Sequence, residues 1–232
     1  MHPQLMQGKI AHGTADFSRG RAMTDQQASA ALALGMAAAS AQIASGADIL
    51  CVGEMGIGNT TSASAIIAAI TGKAPKQVTG RGTGVDDATL ERKLHLIETA
   101  LRLHHPAHEG ILPKIGGFEI GAMAGVMLGA AAQRVPVVID GLISTAAALI
   151  AAQIAPRVVD YLIASHRGSE PGHAVALEYL GLQPLLELDI RLGEGAGALL
   201  ALPLIEAAMR TLNEMATFDE AGVSDHETDD AG

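Results

Sequence analysis

The chain has no tryptophan, two tyrosines, three phenylalanines and a single cysteine among its 232 residues. So few aromatic rings leave no stacking platform of the kind on which nucleic-acid bases are held. Basic patches are scarce as well, with 15 Lys and Arg against 25 Asp and Glu, so nucleic acid is not an expected partner. One cysteine cannot close an internal disulfide, and the cytoplasm is the expected setting. Cys51 stands in the apolar run Ile49, Leu50, Cys51, Val52 and reads as a buried strand thiol rather than a nucleophile. No basic-then-apolar leader opens the sequence, so no secretory signal is expected. The uncharged run 26–47 is long enough to span a bilayer, but Gln26, Gln27, Ser29, Ser40, Gln42 and Ser45 stud it and alanine dominates. It reads as a soluble helix, with no membrane partner.

What the chain has in quantity is alanine and glycine. They supply much of the 49% hydrophobic fraction, so the core is expected to be small, aliphatic and closely packed. The length suffices for one large domain, read as 1–223. The acids of 224–232 have no apolar residues to pack and are expected to form a disordered tail.

Thr24 followed by Gln27 is a capping-box pattern opening an alanine-rich helix that Gly46 stops. Short apolar runs at 47–52, 135–139 and 158–163 predict buried parallel strands. Helices are predicted over 60–70, 86–104, 119–133, 143–153, 172–180 and 196–215, with Pro171 at a helix start. In the helix 86–104, Leu90, Leu94, Ile97 and Leu101 form a stripe expected to face the sheet, while Glu91, Arg92, Lys93 and Glu98 lie off it. This alternation predicts an α/β fold, a Rossmann-like parallel sheet with helices on both faces. Ligands of such sheets bind outside the carboxyl ends of the strands.

Three glycine-rich loops carry the candidate chemistry. Segment 53–61 (GEMGIGNTT) joins a strand to a helix and reads either as an anion cradle or as a tight turn with Asn59 or Thr60 as N-cap. It lacks the lysine of a P-loop. Segment 80–87 (GRGTGVDD) leads to Lys93 and reads either as an ordinary loop with Asp86 or Asp87 capping the helix or as a place where Arg81 or Lys93 meets a phosphate. The third, 191–197 (RLGEGAG), sets Glu194 among three glycines, where it either accepts a proton from a ligand or caps the following helix. Asp140 ends a strand, as a ligand contact or as a helix cap. His166, Glu170 and His173 lack the clustering of a metal site, and Ser169 or Glu170 is expected to cap a helix.

Taken together, 53–61 (GEMGIGNTT), 116–125 (GGFEIGAMAG), 137–148 (VVIDGLISTAAA), 170–173 (EPGH) and 191–197 (RLGEGAG) resemble one family, the nicotinate-nucleotide–dimethylbenzimidazole phosphoribosyltransferases. The resemblance runs in order over 2–223. It implies transfer of phosphoribosyl from nicotinate mononucleotide to 5,6-dimethylbenzimidazole, giving α-ribazole 5′-phosphate and nicotinate, with no metal or other cofactor. Glu194 matches the family's general base. The resemblance puts Gly56, Ile57, Gly58, Asn59 and Thr60 at the nucleotide phosphate, and Glu54 and Met55 near the acceptor with Leu192 as a further wall. Lys93, Asp140, Gly141, Ser144, Ser165 and Gly172 fall on the nucleotide side. It also implies a homodimer, a remnant of a small helical domain, and a family segment ahead of residue 1 without counterpart here. A non-catalytic nucleotide- or base-binding homologue is the alternative expectation.

Overall fold

Thr24 opens the first helix as its spacing predicts. Its hydroxyl accepts from the Gln27 N–H at 3.1 Å, and the Gln27 side chain accepts from the Thr24 N–H at 3.0 Å. The computed structural model describes residues 5–82, 84–105 and 110–223, so the tail expected at 224–232 lies outside the described residues. In chain order the elements are α1 (Asp25–Ala44), β1 (Leu50–Val52), α2 (Asn59–Thr71), α3 (Pro75–Val78), α4 (Asp87–His104), α5 (Ile111–Ile115) and α6 (Phe118–Ala132). Then follow β2 (Val137–Ile139), α7 (Leu142–Ile154), β3 (Leu162–Ala164), α8 (Pro171–Leu180) and α9 (Ala196–Glu214). Among the described residues no helix is long and apolar enough to cross a membrane.

The strands form a parallel sheet in the order β1-β2-β3, with Cys51 opposite Val138 and Val138 opposite Ile163. Because side chains alternate along a strand, the sheet divides its residues between two cores. Leu50, Val52, Val137, Ile139, Leu162 and Ala164 join the main core with α2, α6 and α7. Val138 and Ile163 face the other way and pack with Ala198 and Ala201 of α9. Helices thus cover both faces of a parallel sheet, as the alternating pattern predicts.

The α1 and α6 helices explain the abundance of glycine and alanine. A Cβ on Gly35 would stand 1.9 Å from the Ala122 carbonyl oxygen, and one on Gly125 would stand 2.1 Å from that of Leu32. Backbone meets backbone at this crossing, so a side chain at either glycine forces the helices apart. Gly125→Val is expected to cost about 3 kcal/mol, the upper part of the usual overpacking range. Urea unfolding measures this, and a loss under about 0.5 kcal/mol would show that the crossing gives way freely.

Four expectations are corrected. Each strand is three residues long rather than five or six, and the start of the third expected strand, 158–161, falls in a 3-10 helix, Pro156–Tyr161, opened by its proline. Cys51 is exposed, because β1 is an edge strand and α9 covers Val138 while leaving the thiol open. The inner face of α4 packs on α2 and α3 instead of the sheet. Lys93 belongs to that buried face, at 8% exposure, beside Ile97 and Ala100.

Candidate active site

The three strands end at Val52, Ile139 and Ala164, each followed by a loop residue (Gly53, Asp140 and Ser165), and a cavity of about 230 Å³ opens beyond them, where ligands of parallel sheets bind. Glu54, Met55, Gly56, Ile57, Asn59, Thr60, Asp140, Gly141, Ser144, Leu192 and Glu194 all line it. Gly58, Lys93, Ser165 and Gly172 are not in the lining. Gly58 is the N-cap of α2, and Gly172 presses on the Val78 carbonyl where α8 meets α3. Buried Ser165 hydrogen-bonds the His166 ring at 2.9 Å.

Glu194 stands in an unusual stretch of backbone. Gly193, Glu194 and Gly195 all have positive φ, at 78°, 60° and 80°. Two glycines adopt this region without strain, and the glutamate between them is carried along. The Glu194 N–H donates to the Glu54 carbonyl at 3.1 Å, and a Cβ on Gly53 would stand 2.1 Å from the Gly195 nitrogen. The loops 53–60 and 191–197 therefore touch along their backbones.

The capping alternative for Glu194 does not hold. The N-cap of α9 is Gly195, and no side chain from its own loop caps the helix. Asp140 does so from across the sheet. Its Oδ1 accepts from the N–H groups of Gly197 at 2.8 Å and Ala198 at 3.2 Å, and its Oδ2 accepts from Gly195 at 3.1 Å. A buried carboxylate thus meets the positive end of a helix, and Glu194 stays exposed at the cavity. Asp140 also lies 3.8 Å from His166 Nδ1, too far for a hydrogen bond. Burial lowers the His166 pKa, with the Asp140 charge opposing. Gly197 is required here, since a Cβ on it would stand 2.0 Å from His166 Nδ1.

In the loop 53–60, the Asn59 amide donates to the Glu54 carboxylate. Burial raises the Glu54 pKa against the pull of that bond, and the charges of Glu119, Asp140 and Glu194 raise it further. Neither Asn59 nor Thr60 caps α2; its N-cap is Gly58, with φ of 84° and no capping side chain. Beside this end, Lys93 Nζ donates to Thr60 Oγ1 at 2.9 Å and to the Gly80 carbonyl at 3.3 Å. Burial lowers the Lys93 pKa, and the Glu170 carboxylate partly restores it. Both hydrogen-bond partners are neutral, which leaves a buried cation without a bonded counter-charge. Arg81, the other candidate cation, is occupied by Asp87 and the Val85 carbonyl. The apolar rim consists of Met55, Ile57 and Leu192, at 75%, 92% and 70% exposure.

The cavity also takes in Gly82, His166, Gly168, Ser169, Glu170 and His173, which the loop reading did not assign to a ligand. Glu170 is the N-cap residue of α8, but its side chain does not cap the helix. Its Oε1 accepts instead from the Gly82 N–H at 2.8 Å, 88 residues away in sequence. The available signal was an acid and an imidazole three residues apart at a helix start. Among the described residues, no group of three or more His, Cys, Asp and Glu is placed to hold a metal ion.

Comparison with known proteins places this arrangement. A phosphoribosyltransferase family model matches residues 1–223. The chain is 59% identical over 227 residues to the nicotinate-nucleotide–dimethylbenzimidazole phosphoribosyltransferase of Chloroflexus aggregans, covering 97% of this chain and 64% of that protein. Against the protein of the same name from a Roseiflexus species it is 58% identical over 226 residues, with 96% and 64% covered. The crystal structure of CobT from Thermus thermophilus superposes with a TM-score of 0.93 at 48% identity, covering 97% of this chain and 68% of that one. The chain spans a little under two thirds of the length of the curated relatives it matches. With the ordered motifs, the sheet and the matches in agreement, the chain belongs to the family of nicotinate-nucleotide–dimethylbenzimidazole phosphoribosyltransferases.

Proposed function

We propose that this chain transfers phosphoribosyl from nicotinate mononucleotide to 5,6-dimethylbenzimidazole, with Glu194 as general base. The observation that carries the reading is the contact between the two loops. One cavity joins a carboxylate released from capping duty to a glycine-rich helix start backed by a buried lysine. The uncapped end of α2 and Lys93 offer N–H groups and positive charge to a phosphate. Met55, Ile57 and Leu192 offer apolar surface to a flat, largely apolar acceptor.

In the reaction, one acceptor nitrogen attacks the anomeric carbon while its other nitrogen loses a proton to Glu194. The bond from that carbon to the nicotinate nitrogen breaks, and its electron pair leaves with the ring. The departing nitrogen is thereby neutralised and needs no proton, so a single base suffices. Attack opposite the leaving group inverts the centre, from the β-nucleotide to the α-ribazole product.

Residues 1–223 act in this reading as one catalytic unit of a cytoplasmic homodimer. Exposed Leu199, Leu200, Leu204, Met209 and Leu212 on α9 support a face that is covered in the assembly, and a monomer by light scattering would count against it. A second reading, ligand binding without turnover, is favoured by the exposure of Met55 and Leu192 on the acceptor side. The deciding experiment incubates the chain with both substrates and follows α-ribazole phosphate and nicotinate, expected in equal amounts. Calorimetric binding with no product would favour the second reading, and neither binding nor product would remove both.

A further inference from the structure

Two side chains lining the cavity each carry a buried polar atom that has no partner among the described residues: Glu170 Oε2 and His173 Nε2. They stand at the start of α8, Glu170 as its N-cap residue and His173 in its first turn, with the His173 N–H donating to the Glu170 carbonyl at 2.9 Å. Neither residue hydrogen-bonds Glu194, Lys93 or the start of α2; Glu170 acts on Lys93 only through its charge. A buried polar atom left unpaired is costly, so a pair of them at a cavity calls for a ligand that satisfies both.

The ligand's chemistry follows from which atom donates and which accepts. His173 Nδ1 accepts the Gly168 N–H at 2.9 Å, so in the neutral ring the proton sits on Nε2 and that atom is a donor. Burial holds the His173 pKa down at about 3, with His166 and Arg167 adding to the effect, so the ring is neutral at physiological pH. The fold holds it at 1% exposure, edge to face with His166 at 5.6 Å between centroids. Glu170 Oε1 is taken by the Gly82 N–H at 2.8 Å, leaving Oε2 as acceptor. A phosphate or carboxylate placed here would meet the Glu170 carboxylate and only a neutral donor. An apolar ring would leave both atoms unpaired. A hydroxyl accepts one hydrogen bond and donates another, and so answers both.

We propose that Glu170 and His173 form a hydroxyl subsite that holds the ribose of the nucleotide, with His173 Nε2–H donating to a hydroxyl and Glu170 Oε2 accepting from one. The subsite rests on the reading that the donor substrate is a ribonucleotide. It gives the cavity a division of labour, with phosphate at α2 and Lys93, sugar at the start of α8, and the reacting face toward Glu194.

Calorimetry on the full chain with nicotinate mononucleotide and its 2′-deoxy and 3′-deoxy analogues tests this without turnover. The wild-type chain is expected to bind at least one deoxy analogue about 30-fold more weakly, within the discrimination that sites built around a hydroxyl achieve. In Glu170→Ala and in His173→Phe that penalty is expected to fall below about 3-fold, because removing the hydroxyl and removing its partner are not additive. Either variant carries the comparison if circular dichroism shows the other unfolded. Equal binding of all three nucleotides by the wild-type chain, no binding of any, or a penalty that persists in both variants would overturn the subsite. Discrimination without product formation would keep the subsite and remove the transferase reading; product formation without discrimination would do the reverse.

Discussion

Glu194→Gln is expected to lower turnover by about 10²–10⁴-fold, the range general-base catalysis usually supplies, while nucleotide affinity changes less than about 3-fold. Glutamine keeps the shape of the side chain but takes no proton. The substitution leaves the loop intact, because α9 is capped by Asp140, and Glu194 holds its place through its backbone N–H to the Glu54 carbonyl. Single-turnover measurements with both substrates saturating isolate the chemical step. A variant within about 3-fold of the wild-type rate would show that Glu194 is not the base. A variant that has lost both turnover and nucleotide affinity would point to collapse of the loop.

The parts of this site legible in the sequence were those set by local geometry. Thr24 and Asp86 cap their helices through bonds to residues three positions on, and Pro171 sits at a helix start. Glycines at 53–58 and 193–197 mark places where backbone turns or approaches backbone, and a single-chain reading finds them easily. What escaped depended on partners far along the chain. Lys93 looks solvated among Glu91, Arg92 and Glu98, but its ammonium reaches Thr60, 33 residues away, and is buried. Glu170 has the position of a cap and spends its carboxylate on Gly82. Cys51 has apolar neighbours, but it lies on an edge strand and outside the cluster that Val138 forms with α9. Local pattern located the loops, and long-range hydrogen bonds assigned their side chains.

Asp140 is where these two kinds of information meet, and its substitution separates two roles. Its carboxylate already accepts three N–H groups, from Gly195, Gly197 and Ala198, immediately after Glu194. Asp140→Ala orphans three buried donors at the start of α9. At about 1–3 kcal/mol for each unsatisfied group, with cavity water recovering part, a stability loss of about 3 kcal/mol is expected. Loosening the loop that holds the base should also cost turnover about 10²-fold, since misplacement of about 1 Å has effects of that order. Asp140→Asn keeps one acceptor oxygen and turns an amide toward a remaining N–H, so both losses should be smaller. Urea unfolding and single-turnover rates measure them. A residue that contacts the nucleotide directly weakens nucleotide binding when removed, whereas one that positions the base lowers the rate at saturation and leaves affinity nearly unchanged. Because the Asp140 oxygens are engaged by α9, the second pattern is expected. A loss of nucleotide affinity of about 10-fold in the folded Asp140→Asn variant, with its saturated rate intact, would return Asp140 to the nucleotide side of the cavity.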